Sequence, residues 1–63
     1  MTVQQMANEI SFIEQENNKI HELIKNETNK ETKAEYRAVL SENNHQLLHL
    51  RSTLASIKYD PLF

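Results

Sequence analysis

The chain has 63 residues, a formal net charge of −2, three histidines, and neither cysteine nor glycine. A chain of this length forms at most one domain with a small core, and such domains usually need a disulfide, a metal ion or a partner chain for stability. Without cysteine, neither a disulfide framework nor a thiolate zinc site is possible. No apolar run reaches the length of a transmembrane helix, and no charged-then-apolar signal peptide is present. We therefore expect a soluble, cytoplasmic protein with no membrane partner.

The first predicted helix spans residues 3–26. Thr2 and Gln5 form a capping-box pattern, in which a threonine side chain and a glutamine three residues later satisfy the first free amides of a helix. Apolar residues then recur in steps of three and four, with Asn17 filling one gap, which is typical of a coiled-coil seam. The seam is Val3, Met6, Ile10, Ile13, Asn17, Ile20 and Ile24.

A polar stretch follows, and it predicts a turn over residues 27–33. Its capping-box patterns begin at Thr28 and Thr32. A second helix is predicted over 34–59, with a short tail at 60–63, because Pro61 lacks the amide donor that a helix needs. The second seam is Tyr36, Leu40, Asn43, Leu47, Leu50, Leu54 and Ile57. Its heptad phase is shifted relative to the first seam, which favours a turn over one unbroken helix.

Folding the chain back near residue 30 matches the two seams layer by layer. Asn17 then faces Asn43, and Glu27 faces Lys33 at the turn. The apolar layers are Val3 with Ile57, Met6 with Leu54, Ile10 with Leu50, Ile13 with Leu47, Ile20 with Leu40, and Ile24 with Tyr36. The sequence therefore predicts an all-α, coiled-coil-like antiparallel two-helix hairpin as one domain over residues 1–63.

Asn17 and Asn43 form a polar layer inside this seam. A buried amide costs stability unless it is hydrogen-bonded, and a slipped register would leave both amides without a partner. We interpret the pair as register-setting residues. The functional alternative is a polar binding site inside a helical bundle.

Several large apolar residues fall outside the seam, namely Phe12, Leu23, Val39 and Leu48. So many on a short chain indicate a second contact surface. We expect a homodimer with twofold symmetry that forms a four-helix bundle, or an unidentified protein partner on the same surface.

Metal binding and catalysis are not expected. His45 and His49 have the spacing of zinc ligands on a helix, with Glu42 nearby, but His21 lies far along the other helix and closed zinc sites take four ligands. The sequence contains no glycine-rich phosphate loop and no nucleophile elbow. We expect no metal, no cofactor and no enzymatic activity.

Nucleic-acid binding is the alternative function. Arg37, Arg51 and Lys58 fall on one flank of the second predicted helix, and a dimer would double this stripe. The topology resembles that of the small plasmid copy-number regulator that is a dimeric helical hairpin. Acidic Glu14 near the stripe and the negative net charge weigh against nucleic-acid binding. A third hypothesis is that the protein is a small assembly or scaffold component.

The C-terminal residues Tyr59, Asp60, Pro61, Leu62 and Phe63 are a candidate docking tail. The last four are loosely similar to motifs that bind bacterial sliding clamps, without the leading glutamine. The alternative is that the tail packs on the open end of the hairpin, near Val3 and Met6, because apolar tails find apolar surface.

The run from Asn8 to Ile20 and the chain length resemble the short early proteins of lambdoid phages, encoded between the exonuclease and excisionase genes. That resemblance implies a regulatory bacteriophage protein in the host cytoplasm. It also implies an effect on host physiology or on the choice between lysis and lysogeny, exerted through protein contacts.

Overall fold

A computed structural model describes the backbone of residues 2–59 and the side chains of residues 2–57. This part of the chain forms two contacting helices and no strand: α1 covers Val3–Asn26 and α2 covers Lys30–Tyr59. The helices run antiparallel, since Glu14 contacts Arg51 while Asn17 contacts Asn43. The hairpin measures 52 × 15 × 15 Å. The prediction of an all-α helical hairpin is confirmed. Neither helix, over the residues described, is long and apolar enough to cross a membrane.

The start of α1 is fixed by the capping box that the sequence predicted. The Thr2 hydroxyl accepts a hydrogen bond from the Gln5 amide at 3.0 Å, and the Thr2 amide donates to Gln5 Oε1 at 2.8 Å. These bonds satisfy two of the amides that a helix N-terminus leaves without intrahelical partners. The helix ends where Glu27 adopts an extended backbone conformation, and Lys25 in the last turn complements the negative end of the helix dipole.

The second helix starts earlier than predicted. It begins at Lys30 instead of residue 34, and the connection is residues 27–29 instead of 27–33. The cap is Asn29, whose Oδ1 accepts from the amides of Glu31 at 2.9 Å and Thr32 at 3.1 Å. Asparagine is among the best N-cap residues because its short side chain reaches these amides. With Asn29 in this role, Thr32 lies inside the first turn of α2.

Glu27 stabilises the connection from its other end. Its Oε1 accepts from the amides of Thr28 and Asn29, each at 3.0 Å. Glu27 and Lys33, which the sequence predicts to face each other at the turn, form no ion pair, because among the described side chains the one ion pair joins Arg51 to Glu14. A carboxylate this close to free turn amides makes charge-assisted hydrogen bonds with them instead.

The core of the hairpin is thin. Its buried hydrophobic residues are Met6, Ile13 and Ile20 of α1 and Leu40 and Leu47 of α2. The remaining apolar seam residues are only half buried, except at the open end, where Val3 is 50% exposed and Ile57 36% exposed. None of the described side chains is less than 2% exposed. Each helix therefore keeps most of its circumference outside the contact with the other.

Candidate interaction surfaces

The polar layer is a hydrogen-bonded network of four side chains. Asn43 Nδ2 donates to Asn17 Oδ1 at 2.9 Å and to Glu16 Oε1 at 3.2 Å, and Asn17 Nδ2 donates to Asn44 Oδ1 at 3.2 Å. Asn17 is 8% exposed and is the one buried polar residue among those described. No buried polar side-chain atom in this part of the chain lacks a partner. The cost of burying the amide is therefore offset by its bonds.

The sequence correctly predicted that Asn17 faces Asn43, but it did not predict the outer members of the network. Asn44 and Glu16 flank the seam and look like ordinary solvated residues. The available signal is adjacency: each lies next to a seam asparagine, within reach of its partner across the hairpin. A shift of α2 by one turn would break all three interhelical hydrogen bonds. The register-setting role of Asn17 and Asn43 stays a prediction that this geometry supports.

Three of the four apolar residues expected to form a contact surface share one flank of the hairpin. Phe12 is 61% exposed and Leu23 is 49% exposed. Eleven residues make about three turns, so both side chains lie on the same side of α1. Val39, 40% exposed, lies one turn before Asn43, which contacts Glu16. These residues surround the same edge of the polar layer.

Leu48 lies elsewhere. It is 66% exposed and follows Val39 by nine residues, about two and a half turns, which places the two on opposite sides of α2. Leu48 lines a shallow groove of about 400 Å³ on α2. The other residues of this α2 groove are Arg37, Leu40, Ser41, Asn44 and His45. The four apolar residues thus belong to two surfaces.

The basic residues of the nucleic-acid hypothesis are only partly available. Arg37 lines the α2 groove, and Arg51 follows about four turns later on the same side of the helix. Arg51 Nη2 lies 3.2 Å from Glu14 Oε2, with the two side chains 55% and 50% exposed. The carboxylate neutralises one of these two cations. The side chain of Lys58 lies outside the described residues.

Two of the three histidines border a second groove, which runs between the helices and measures about 500 Å³. His45 and His49 line it from α2, and Glu9 lines it from α1. Its other lining residues are Ile13, Gln46 and Leu50. Among the described residues, no group of three His, Cys, Asp or Glu side chains is arranged to hold a metal ion.

The candidate docking tail falls at the limit of the described residues. The backbone of Tyr59 ends α2. The Tyr59 side chain and residues 60–63 lie outside the described part of the chain. Docking and packing of the tail both stay predictions.

Comparisons with protein-family models, with curated proteins and with solved structures find no match to this chain.

Proposed function

We propose that this chain is a small regulatory interaction protein that acts through contacts with other proteins and not by catalysis. A second copy of the chain is the first partner, giving a four-helix bundle. The observation that carries the proposal is the exposure of large apolar side chains outside the hairpin core. Phe12 and Leu48 are 61% and 66% exposed, whereas only five hydrophobic residues are buried among those that the structure describes.

The energetics favour covering these side chains. Burying a leucine or phenylalanine contributes about 1.5–3 kcal/mol relative to leaving it exposed. Helical stability in proteins comes mainly from packing an apolar face, so a two-helix hairpin gains from every additional contact. Twofold symmetric association is the commonest way for a soluble chain to supply that contact.

The biological role of the protein is inferred from the family resemblance alone. A role among the early proteins of a lambdoid phage, in the host cytoplasm, stays a prediction. Nucleic-acid binding and a scaffold role stay alternatives. The ion pair between Arg51 and Glu14 weighs against nucleic-acid binding, because affinity for phosphate grows with the number of available cations.

Sedimentation equilibrium of the purified chain tests the proposal. We expect the wild type to associate, and Phe12→Ser to lose association while its far-UV circular dichroism below the melting transition is unchanged. Gln15→Ser is the matched control, since Gln15 is an exposed polar residue of the same helix. A photo-crosslinker placed at Leu48 in cells that make the protein tests the second surface for other partners. A monomeric wild type that forms no protein adduct from this position would contradict the proposal.

A further inference from the structure

The exposed flank of α1 carries a regular stripe. Phe12, Glu16, Lys19 and Leu23 follow one another at intervals of four, three and four residues. This spacing keeps them in one line along the helix. We call these four residues the α1 stripe. None of them belongs to the buried apolar core, and Phe12, Lys19 and Leu23 are exposed.

The α1 stripe is symmetric in position and complementary in charge. Its two ends are apolar, its centre holds one acid and one base, and its midpoint lies between residues 17 and 18. Turning a copy end over end about that midpoint places Phe12 opposite Leu23 and Glu16 opposite Lys19. This relation satisfies a twofold interface, in which residue i contacts j while j contacts i. A parallel copy would instead set Glu16 against Glu16 and Lys19 against Lys19.

The charges of the stripe are available for such a contact. The single ion pair among the described side chains joins Arg51 to Glu14, so Lys19 has no carboxylate partner there. Glu16 uses Oε1 to accept from Asn43. An ionised carboxylate has about four acceptor positions, so Glu16 can bind an ammonium group as well.

We propose that a second copy of this chain packs antiparallel on the α1 stripe. Each Phe12 contacts Leu23 of the other copy, and each Glu16 pairs with Lys19 of the other copy. The twofold axis crosses α1 at a right angle, so the turns of the two hairpins lie at opposite ends of the bundle. This inference rests on the self-association proposed above and specifies its geometry.

The size of the face suits a stable dimer. A long face of the hairpin measures 52 by 15 Å, and each partner buries ~800 Å² in a standard interface, so the dimer must use most of this face and not the α1 stripe alone. Val39 on α2 borders the stripe and widens its apolar part. The Phe12 ring, as an exposed aromatic in a self-complementary patch, is the expected hot spot.

Charge reversal provides the test. Glu16→Lys and Lys19→Glu are each expected to weaken the homodimer about tenfold, because two attractive pairs per dimer become repulsive and each exposed pair is modest. Mixing the two variants is expected to restore wild-type affinity as a heterodimer, since every cross pair is then attractive. The double variant Glu16→Lys/Lys19→Glu is expected to restore the homodimer. Dissociation constants come from sedimentation equilibrium at low ionic strength.

Matched controls separate charge from folding. Glu22→Lys and Lys25→Glu make the same charge changes on exposed positions of α1 outside the stripe, and both are expected to leave the dissociation constant unchanged. Circular dichroism checks that Glu16→Lys, which loses a hydrogen bond to Asn43, stays helical. If it does not, Lys19→Glu measured against its control Lys25→Glu carries the comparison. If the wild type dimerises but the stripe variants do not change its dissociation constant, this geometry is wrong while self-association remains supported. The same holds if the variants weaken the dimer and mixing them does not restore its affinity. A monomeric wild type would overturn both.

Discussion

Replacing Asn17 by alanine should lower the free energy of unfolding of the hairpin by the contribution of the two hydrogen bonds that Asn17 makes. Asn17 is 8% exposed, accepts from Asn43 at 2.9 Å and donates to Asn44 at 3.2 Å. Two hydrogen bonds at a net ~1 kcal/mol each give a loss of about 2 kcal/mol in the free energy of unfolding. Asn43 keeps one of its two amide N–H groups on Glu16, and the other belongs to a half-exposed side chain that water can reach, so no further penalty for a stranded donor is expected.

The assay is urea unfolding followed by far-UV circular dichroism at one fixed chain concentration, because association would itself shift the midpoint. Asn18→Ala is the matched control: Asn18 is exposed on the same helix, and its replacement brings the same gain in helix propensity. In thermal unfolding the difference between the variants corresponds to about 8–16 °C in Tm for a domain of this size. If Asn17→Ala were no less stable than Asn18→Ala, the polar layer would not stabilise the hairpin.

The double variant Asn17→Leu/Asn43→Leu separates stability from register. Replacing both partners of a buried polar pair by apolar groups is often neutral or stabilising. We therefore expect its Tm to equal or exceed that of the wild type. Its association state should become mixed, because the amides no longer disfavour slipped registers. A double variant with a single, wild-type association state in sedimentation velocity would refute the register-setting role.

Three further predictions follow from single contacts. Asn29→Ala removes the cap of α2 and should cost about 1 kcal/mol in urea unfolding, whereas an unchanged midpoint would mean that the cap is dispensable. Leu47→Ala removes a side chain that is 6% exposed and should lower the free energy of unfolding by about 2–5 kcal/mol in the same assay. A loss below about 1 kcal/mol would contradict this prediction. Arg51→Ala should cost less than about 1 kcal/mol, and less still at high salt, because both partners in the ion pair with Glu14 are half exposed; a larger loss independent of salt would show a buried role.

The sequence predicted the parts of the fold that depend on periodicity. The Thr2 cap, the bounds of α1, and the opposition of Asn17 and Asn43 are all found in the structure. These features depend on residues a few positions apart or on one matching of two seams. Such patterns survive in a sequence because helix geometry is regular.

The start of α2 could not be predicted as well, because three residues compete to cap it. Thr28, Asn29 and Thr32 are all good N-cap types, and the capping-box pattern favoured the threonines. In the structure Asn29 caps α2, while the Glu27 carboxylate accepts from the amides of Thr28 and Asn29, and the connection is shorter than predicted. The separation of Leu48 from Val39 could have been predicted from the sequence, because nine residues make about two and a half turns and place two side chains on opposite sides of a helix.

The most direct test of the central claim is an isotope-filtered nuclear Overhauser experiment on a mixture of labelled and unlabelled chains. Within one helix, Phe12 and Leu23 are about 16 Å apart, too far for a contact. The antiparallel dimer predicts intermolecular cross-peaks between the Phe12 ring and the Leu23 methyl groups. Intermolecular cross-peaks that instead join Phe12 to Phe12, or the absence of any intermolecular cross-peak at concentrations where the chain is dimeric by sedimentation, would contradict it.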